Sequence, residues 1–299
     1  MKKARILGFV LVLLMCAVAG VYYYVSHFSE SSKIHISTNP WVGFTPFIYA
    51  QEKGWLEKTP FRFMWLVDLT DNARLYERGF TQGFTATQYE MLHFKHSNTI
   101  KPIFLIDRSF GADAIVSNLS IGEIRSANEN VDVYLEQGSL DDDFFQAFIS
   151  EYSLDERKFH KIDASQKSIA TLSASKTPLI IISYEPYLSE LLKKGFHLIA
   201  STRTMETFFV VDALFVDEQI VLGREEDFVH LRELFALAVE HLRSNPREYY
   251  ETVKGYLEGQ SYEEFLFSTT QIKWMYGKSP KAVTDHLNTQ KVKTDRLLP

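Results

Sequence analysis

An aromatic loop and a helix start are the two places where this sequence groups residues suited to ligand chemistry. Trp41, Gly43 and Phe44 lie between a strand-like run and a helix signal, where aromatic faces can form one wall of a ligand cleft. Gly43 allows the loop to turn tightly or to approach a ligand. Ser139 is placed to cap a second helix, whose free N–H groups would attract an anion. The pattern favours binding of a small molecule.

The same residues also have structural interpretations. Trp41 would serve equally well as a filler of a domain core. Behind Ser139, the acids Asp141, Asp142 and Asp143 occupy the first turn. Carboxylates there complement the helix dipole and repel an incoming anion. We therefore expect a solvated acidic turn that disfavours a doubly charged anionic ligand.

Catalytic and metal-binding patterns are missing from the sequence. Ser109 and Ser139 have no His base in a nucleophile motif, and no phosphate loop or dinucleotide fingerprint occurs. His93 and His96 would share a helix face without a third ligand. The only cysteine, Cys16, precedes the body of the chain, which excludes disulfides and thiolate sites there. We predict no enzyme activity, no cofactor and no metal.

Composition and charge restrict the partners. The chain has 299 residues, is 45% hydrophobic, and carries 32 Lys and Arg against 38 Asp and Glu, for a net charge of -6. The basic residues Lys2, Lys3 and Arg5 stand at the very start, so the body is more acidic still. Affinity for nucleic acid comes mainly from Lys and Arg. Nucleic acid is therefore not an expected partner.

Residues 1–32 are expected to be an export segment followed by a polar tether. Residues 6–25 carry no charge. Their length matches the roughly 20 residues that a membrane-spanning helix needs. Their basic flank predicts a cytoplasmic N-terminus and a body on the other side. Ala17-Val18-Ala19 alternatively fits a signal-peptide cleavage site. We favour an anchor, because the apolar run continues beyond that site, and both interpretations export the body.

The body alternates between strand-like and helical segments, which predicts an α/β fold. A helix is predicted from Thr45 as N-cap, with Pro46 in its first turn and Gly54 at its end. A second one runs from Ser139 to about Tyr152. The predicted strands are 34–38, 61–67, 102–106, 112–117, 131–135, 179–183, 196–200 and 208–216.

The last third of the chain is expected to be wholly helical from residue 227. Residues 227–243 place their apolar side chains on one helical face. Ser261 and Glu264 have the spacing of a capping box at a further helix start. The tail after residue 278 is expected to be loosely packed.

Five motifs, in order, carry a resemblance to a known family. They are NPWVGFTP at 39–46, RGF to TAT at 78–87, DRSFGADAIV at 107–116, EQGS at 136–139 and YEPYLSE at 184–190. Their order is similar to that of bacterial substrate-binding proteins of the nitrate/sulfonate/taurine and thiamine-precursor group. The resemblance covers roughly residues 33–245.

The resemblance implies a two-lobed type II periplasmic-binding-protein fold with a ligand cleft between the lobes. Lobe 1 would comprise residues 33–116 and 212–299, and lobe 2 residues 117–211. Such proteins capture a small solute and deliver it to an ABC transporter permease. The protein would lie at the periplasmic face of the bacterial inner membrane, or in the periplasm if the signal is cleaved.

The resemblance also implies which residues bind the ligand. They are Trp41, Gly43, Phe44, Thr87, Asp107, Ser109, Ser139, Tyr184, Glu185 and Tyr187. The family uses the position of Ser139 for sulfonate groups. Asp107 and Glu185, one from each lobe, would instead suit an ammonium group. Trp41, Tyr184 or Tyr187 would add a cation–π contact. Asp113 is expected to make a hinge contact. The ligand class stays open between sulfonate-like or taurine-like and amine-bearing solutes.

Two other functions remain compatible with the sequence. A membrane-anchored sensory or regulatory module with the same fold would have its closed form read by a membrane partner. A pyrimidine-precursor synthesis protein, as in thiamine formation, is disfavoured by the exported N-terminus and the lack of a cysteine in the body. Fold alone does not separate transport from sensing.

Overall fold

The computed structural model describes residue 15 and residues 33–298, apart from 67–68, 96–98, 128–129 and 206. The predicted anchor or signal at 6–25 lies outside the described residues except for Met15, and so does His96. None of the described helices combines the length and the apolar character that crossing a membrane requires.

The first lobe contains a six-stranded mixed sheet. Its strands are β1 (Ile34–Thr38), β2 (Phe61–Trp65), β3 (Gly83–Thr87), β4 (Ile100–Ser109), β10 (Val211–Asp217) and β11 (Ile272–Trp274), in the spatial order β11-β4-β10-β3-β1-β2. Strand β1 is parallel to β2 and β3, whereas β10 is antiparallel to β3 and β4. The central strands are rich in apolar residues because helices cover both faces of the sheet.

The second lobe contains a five-stranded sheet. Its strands are β5 (Asp113–Ser117), β6 (Val131–Leu135), β7 (Phe159–Asp163), β8 (Leu179–Tyr184) and β9 (His197–Ser201), in the spatial order β7-β6-β8-β5-β9. Every residue of β8 is buried. This is expected for a central strand whose sequence is a continuous apolar run. Strand β5 is antiparallel to both of its neighbours.

Helices of both lobes cover these sheets. They are α1 (Thr45–Glu52), α2 (Leu69–Glu77), α3 (Gln88–His93), α4 (Ile121–Ser126), α5 (Leu140–Glu151), α6 (Gln166–Ile169), α7 (Tyr187–Lys193), α8 (Glu218–Val221), α9 (Glu225–Ser244), α10 (Pro246–Val253), α11 (Tyr262–Thr269) and α12 (Lys281–Thr289). The predicted apolar face of α9 buries Phe228, Leu231 and Phe235. Phe235 lies 4.7 Å from Phe47 of α1, measured between ring centroids.

The chain crosses between the lobes twice, after β4 and after β9. Strand β5 begins at Asp113 in the second sheet, so the first crossing precedes the predicted boundary at residue 116. The return begins with Val211 in β10, one residue before the predicted 212. The two crossing segments contact each other, because the Ser109 and Thr202 hydroxyl oxygens are 2.8 Å apart and the Gly111 N–H donates to Thr202 Oγ1 at 2.8 Å.

The lobes are closed against each other. Tyr89 of α3 stacks on Phe208 of the return crossing, and Phe208 stacks on Phe144 of α5, with 4.7 Å between ring centroids in each pair. A single buried apolar cluster includes residues of both lobes, such as Ile36 and Val133. This continuous packing between the lobes defines the closed form of the cleft.

Two predictions about the C-terminal third were wrong. Residues 272–274 form β11 and pair with the edge of β4, so the segment is not wholly helical. The tail after 278 is packed, because α12 buries Val283 and Leu287, and Leu298 is buried with its N–H donating to the Ile103 carbonyl at 2.8 Å. Both features depend on tertiary contacts that local sequence does not contain.

The start of α1 also differs from the prediction. Thr45 is the first helical residue and Phe44 occupies the cap position. A 3₁₀ turn at Val42–Phe44 leads directly into the helix, and the Thr45 hydroxyl donates to the Val42 carbonyl at 2.7 Å. The hydroxyl therefore closes the turn and does not cap free N–H groups.

Candidate ligand site

A small cavity lies between the lobes, near the carboxyl ends of β1, β3 and β8. Its lining comes from both sheets and consists of Asn39, Trp41, Phe44, Thr87, Asp113, Leu140, Tyr184 and Asp212. Open α/β sheets commonly bind ligands outside the carboxyl ends of their strands. The cavity measures about 10 Å³, which is near the lower limit for one ordered water. A larger solute therefore requires the lobes to separate.

Aromatic side chains meet across this cleft. Trp41 follows β1 in the first lobe, and Tyr184 ends β8 in the second. Their rings pack edge to face, with centroids 5.9 Å apart and planes at 71°. Tyr187 packs behind Tyr184 at 5.6 Å. The Trp41 indole N–H donates to Asp107 Oδ2 at 3.2 Å, which fixes the orientation of the ring.

Gly43 is required by the close approach of its loop to Asp107. A Cβ at this position would lie 1.8 Å from Asp107 Oδ2 and 2.6 Å from Trp41 Nε1. A Cβ there would therefore force the loop or the Asp107 carboxylate to move within a closely packed interior. The residue thus serves the contact between Trp41 and Asp107, and no larger side chain fits there.

Asp107 and Asp212 form a buried pair on adjacent strands. They are directly opposite each other in the β4–β10 ladder and are 0% and 2% exposed. Burial raises the pKa of both carboxyl groups, and the negative charge of Asp107 raises the pKa of Asp212 further. Two buried carboxylates this close repel each other when both are charged. We therefore expect the pair to keep a proton in the closed state.

Asp113 and Asn39 bring further polar atoms to the cavity. Burial raises the pKa of Asp113 to about 7, and a hydrogen bond from Ser109 opposes that shift. Among the described residues, Asp113 Oδ2 finds no hydrogen-bond partner, and neither does Asn39 Nδ2. The Asn39 oxygen accepts from Asn72 at 3.1 Å. Unpaired buried polar atoms are costly, which makes this group of atoms a candidate for ligand contacts.

The start of α5 is occupied by a carboxylate from the opposite lobe. The Ser139 hydroxyl caps the helix by accepting from the Asp141 N–H at 3.1 Å. The Leu140 N–H, however, donates to Glu90 Oε1 at 2.7 Å. Glu90 also accepts at 2.8 Å from the Thr87 N–H, in the capping box of α3. The position that would attract an anion is thus filled by the protein.

The acids of the first turn of α5 are not simply solvated. Asp141 is buried, accepts from the Glu136 N–H at 3.0 Å and from Gln166 at 3.0 Å, and its pKa is raised by burial. Asp142 pairs with Lys161 at 2.8 Å. The expectation of a solvated turn is therefore wrong for Asp141.

The structure brings together part of the predicted site. Trp41, Phe44, Thr87 and Tyr184 line the cavity. A second group lies directly behind these residues without lining it: Gly43, Asp107, Ser109, Ser139 and Tyr187.

Glu185 has a different environment from the rest of the predicted site. It is fully buried outside the cavity lining, where its carboxylate accepts from Ser189 at 2.8 Å and from Gln260 at 3.1 Å. Burial raises its pKa to about 7. These contacts tie the second lobe to the C-terminal part of the first.

Sequence reasoning missed four residues near the cavity. Asn39, Leu140 and Asp212 line the cavity. Glu90 lies next to it, because its carboxylate accepts a hydrogen bond from the N–H of the lining residue Leu140. Asp113, predicted as a hinge contact, also lines it. Asp212 could have been predicted as a site residue from the sequence. It lies inside the apolar strand VVDALFV, where a carboxylate is expected to have a function.

A second cavity, larger than the one in the cleft, lies in the first lobe. It measures about 300 Å³ and is lined mainly by apolar residues of α8, α9 and the segment 295–298. All of its lining belongs to the first lobe, so it lies away from the cleft. Across the described residues, no three His, Cys, Asp or Glu side chains are grouped so that they could hold a metal ion.

Comparison with known proteins gives structural neighbours. No family model matches the sequence, and no curated protein matches it. The alkanesulfonate-binding protein SsuA from Xanthomonas axonopodis pv. citri, bound to MOPS, is 11% identical, with a TM-score of 0.65 over 89% of this chain and 96% of that one. The periplasmic aliphatic sulphonate binding protein SsuA from Escherichia coli is 9% identical, with a TM-score of 0.68 over 87% and 85%.

A third neighbour is the ligand-binding component of an ABC-type import system from Staphylococcus aureus, with zinc bound. It is 11% identical, with a TM-score of 0.67 over 90% of this chain and 96% of that one. These matches confirm the two-lobed α/β periplasmic-binding-protein fold. They also confirm, at the level of the fold, the resemblance to the sulfonate-binding group. At such identities the fold is what is shared.

Proposed function

We propose that this chain is an extracytoplasmic solute-binding protein, which encloses a small polar solute between its lobes for an ABC transporter permease. One observation carries the proposal: the cleft between the lobes collects buried polar atoms that have no hydrogen-bond partner among the residues that the structure describes. Asp113 Oδ2 from the second lobe and Asn39 Nδ2 from the first are both in this state. Buried polar atoms without a partner cost stability, and several of them lining one cleft support a binding site there.

Lobe closure is the mechanism that this geometry supports. In the closed form the cavity of about 10 Å³ is shielded from solvent, so a solute enters only when the lobes open. The connections between the lobes are the crossings after β4 and β9, which suit a hinge. A solute that contacts both Trp41 and Asp113 would favour closure, because those contacts exist only when the lobes meet.

Native mass spectrometry of the full chain, purified gently from a bacterial host, tests the proposal. A small molecule that is released on activation and identified would support solute binding. The variant Trp41→Ala should lose that molecule while keeping its fold by circular dichroism. A protein that is empty, and that shows no thermal shift with any solute of a broad panel, would contradict the proposal and favour the sensory alternative.

A further inference from the structure

We infer that the solute carries a primary ammonium group, which binds in the cleft against Asp113 and the Asp107–Asp212 pair. This inference rests on the proposed function and specifies its ligand class. It depends on three features of the cleft: the unpaired acceptors, the aromatic walls and the carboxylate that closes the alternative anion position.

The unpaired acceptors call for a ligand that donates hydrogen bonds. Asp113 is 3% exposed and Asp212 is 2% exposed, and within the described part of the chain Asp113 Oδ2 and Asp212 Oδ2 accept from no protein donor. Both residues line the cavity. An ammonium group supplies three N–H donors and a positive charge, and its hydrogen bonds to carboxylates are among the stronger ones in proteins.

The aromatic walls suit the same ligand. Trp41 and Tyr184 pack edge to face across the cleft, with ring centroids 5.9 Å apart, and Phe44 adds a third ring to the lining. The faces of such rings attract cations when water is excluded. A quaternary ammonium would use these rings but would leave the carboxylate oxygens unpaired. The combination of rings and acceptors therefore favours a primary amine.

The position for an anion is closed from within the protein. Glu90 Oε1 already accepts from the Leu140 N–H at the start of α5. An incoming sulfonate or carboxylate would have to displace Glu90 and then lie among further acids. The charged neighbours that raise the pKa of Asp212 are themselves carboxylates, namely Asp107, Asp113 and Glu90. Once these groups are ionised, an anion in this cleft would be repelled and a cation would be attracted.

When no solute is bound, protons neutralise the carboxyl groups of the cleft in place of an ammonium group. The charge of Glu90 on α3 acts on Asp113, and the charge of Asp113 acts on Asp107 of β4, Asp141 of α5 and Asp212 of β10; burial raises the pKa of each of these groups. An ammonium group that binds here ionises the carboxyl groups and displaces their protons. Amine affinity should therefore increase from pH 6 to pH 8, with release of protons to the buffer.

Isothermal titration of the full chain with three matched probes tests the ligand class. Ethylamine carries only the cation, ethanesulfonate only the anion, and taurine both. We expect ethylamine to bind, ethanesulfonate to give no signal, and taurine to bind more weakly than ethylamine. Ethyltrimethylammonium, which lacks N–H donors, should bind at least tenfold more weakly than ethylamine.

Two carboxamide variants connect the signal to the cleft. Asp113→Asn should weaken ethylamine binding at least tenfold, because it removes the charge and half of the acceptors. Asp285→Asn changes an exposed acid on α12 and should leave binding unchanged. Equal loss in both variants would contradict a specific site and indicate a general charge effect.

The outcomes separate this inference from the proposed function. Binding of ethanesulfonate without binding of ethylamine would overturn the ammonium assignment and leave solute binding intact. A released molecule without an amine, found by native mass spectrometry, would do the same. No response to any probe, together with an empty protein, would overturn both.

Discussion

The carboxylate of Glu90 in the first lobe accepts a 2.7 Å hydrogen bond from the backbone N–H of Leu140 at the start of α5 in the second lobe. The same carboxylate completes the capping box of α3 through Thr87. One side chain thus serves two helix starts on opposite sides of the cleft. It both joins the lobes and removes a position where an anion would otherwise bind.

Removing this carboxylate should destabilise the closed form. We expect Glu90→Ala to lower the free energy of unfolding by about 1–3 kcal/mol, because the Leu140 and Thr87 N–H groups lose their buried acceptor. Glu90→Gln keeps one acceptor oxygen and should cost less. Urea denaturation followed by circular dichroism measures the difference. The exposed Glu77→Ala is the control, and an equal effect of Glu77 and Glu90 would refute the assignment.

Gly43→Ala should disrupt the contact between Trp41 and Asp107. The new Cβ would stand 1.8 Å from Asp107 Oδ2, so the loop or the carboxylate must move, at a cost of about 1–3 kcal/mol. Thermal unfolding of the purified variant measures the loss. Gly255 has no heavy atom within 4 Å of the equivalent Cβ position, so Gly255→Ala should be close to neutral. A Gly43→Ala protein as stable as the parent would argue against the close approach.

Stability should decrease as the pH rises from about 4 to about 7. The pKa of Asp113 is about 7 in the folded protein because of burial, against roughly 3.9 in an unfolded chain. The folded state therefore holds this proton more tightly, and the resulting stability is complete below about pH 4 and lost as the pH passes 7. Each such group contributes a slope of up to about 1.4 kcal/mol per pH unit. Urea midpoints measured at intervals across this range check the sign.

Asp107→Asn should stabilise the protein at pH 8. A carboxamide keeps an acceptor for the Trp41 indole N–H and donates to Asp212 without a shared proton. We expect a gain of about 1–2 kcal/mol in the free energy of unfolding at pH 8, together with a flatter pH profile. Denaturation at pH 5 and pH 8 compares the two proteins. A variant that is less stable than the parent at pH 8 would contradict the proton-sharing pair.

Tryptophan fluorescence should report closure. Trp41 is 5% exposed and contacts Tyr184 of the other lobe, so opening of the lobes would expose it to water. We expect ethylamine to shift the emission maximum to shorter wavelength at pH 8. Trp41→Phe should abolish this shift, whereas Trp55→Phe should retain it, because Trp55 packs on His241 of α9. A shift that persists in Trp41→Phe would count against closure at this residue.

Local sequence was sufficient for much of the fold. Strand β8 is a continuous apolar run, and Ser261 with Glu264 makes the predicted capping box. Strands β3, β7 and β11 escaped prediction because they are short and depend on pairing with β10, β6 and β4, respectively. Their stability comes from the sheet and not from their own residues.

The candidate site was harder to predict than the fold. Trp41 and Tyr184 belong to motifs that predicted a cleft, and their rings contact each other there. The acidic part depends on the register that places Asp212 opposite Asp107, which no local pattern contains. Asp107 and Glu185 were expected to act together, yet Glu185 is held by Ser189 and Gln260 outside the cavity lining.

The hydroxyl contact between Ser109 and Thr202 joins the two crossing segments. We expect the two segments to move together as one hinge, because this contact couples them. Displacement grows with distance from a rotation axis, so a change of a few tenths of an ångström beside Asp113 becomes a much larger change at the outer rims. Such a hinge would convert a small adjustment near Asp113 into a large relative displacement of the outer surfaces of the two lobes.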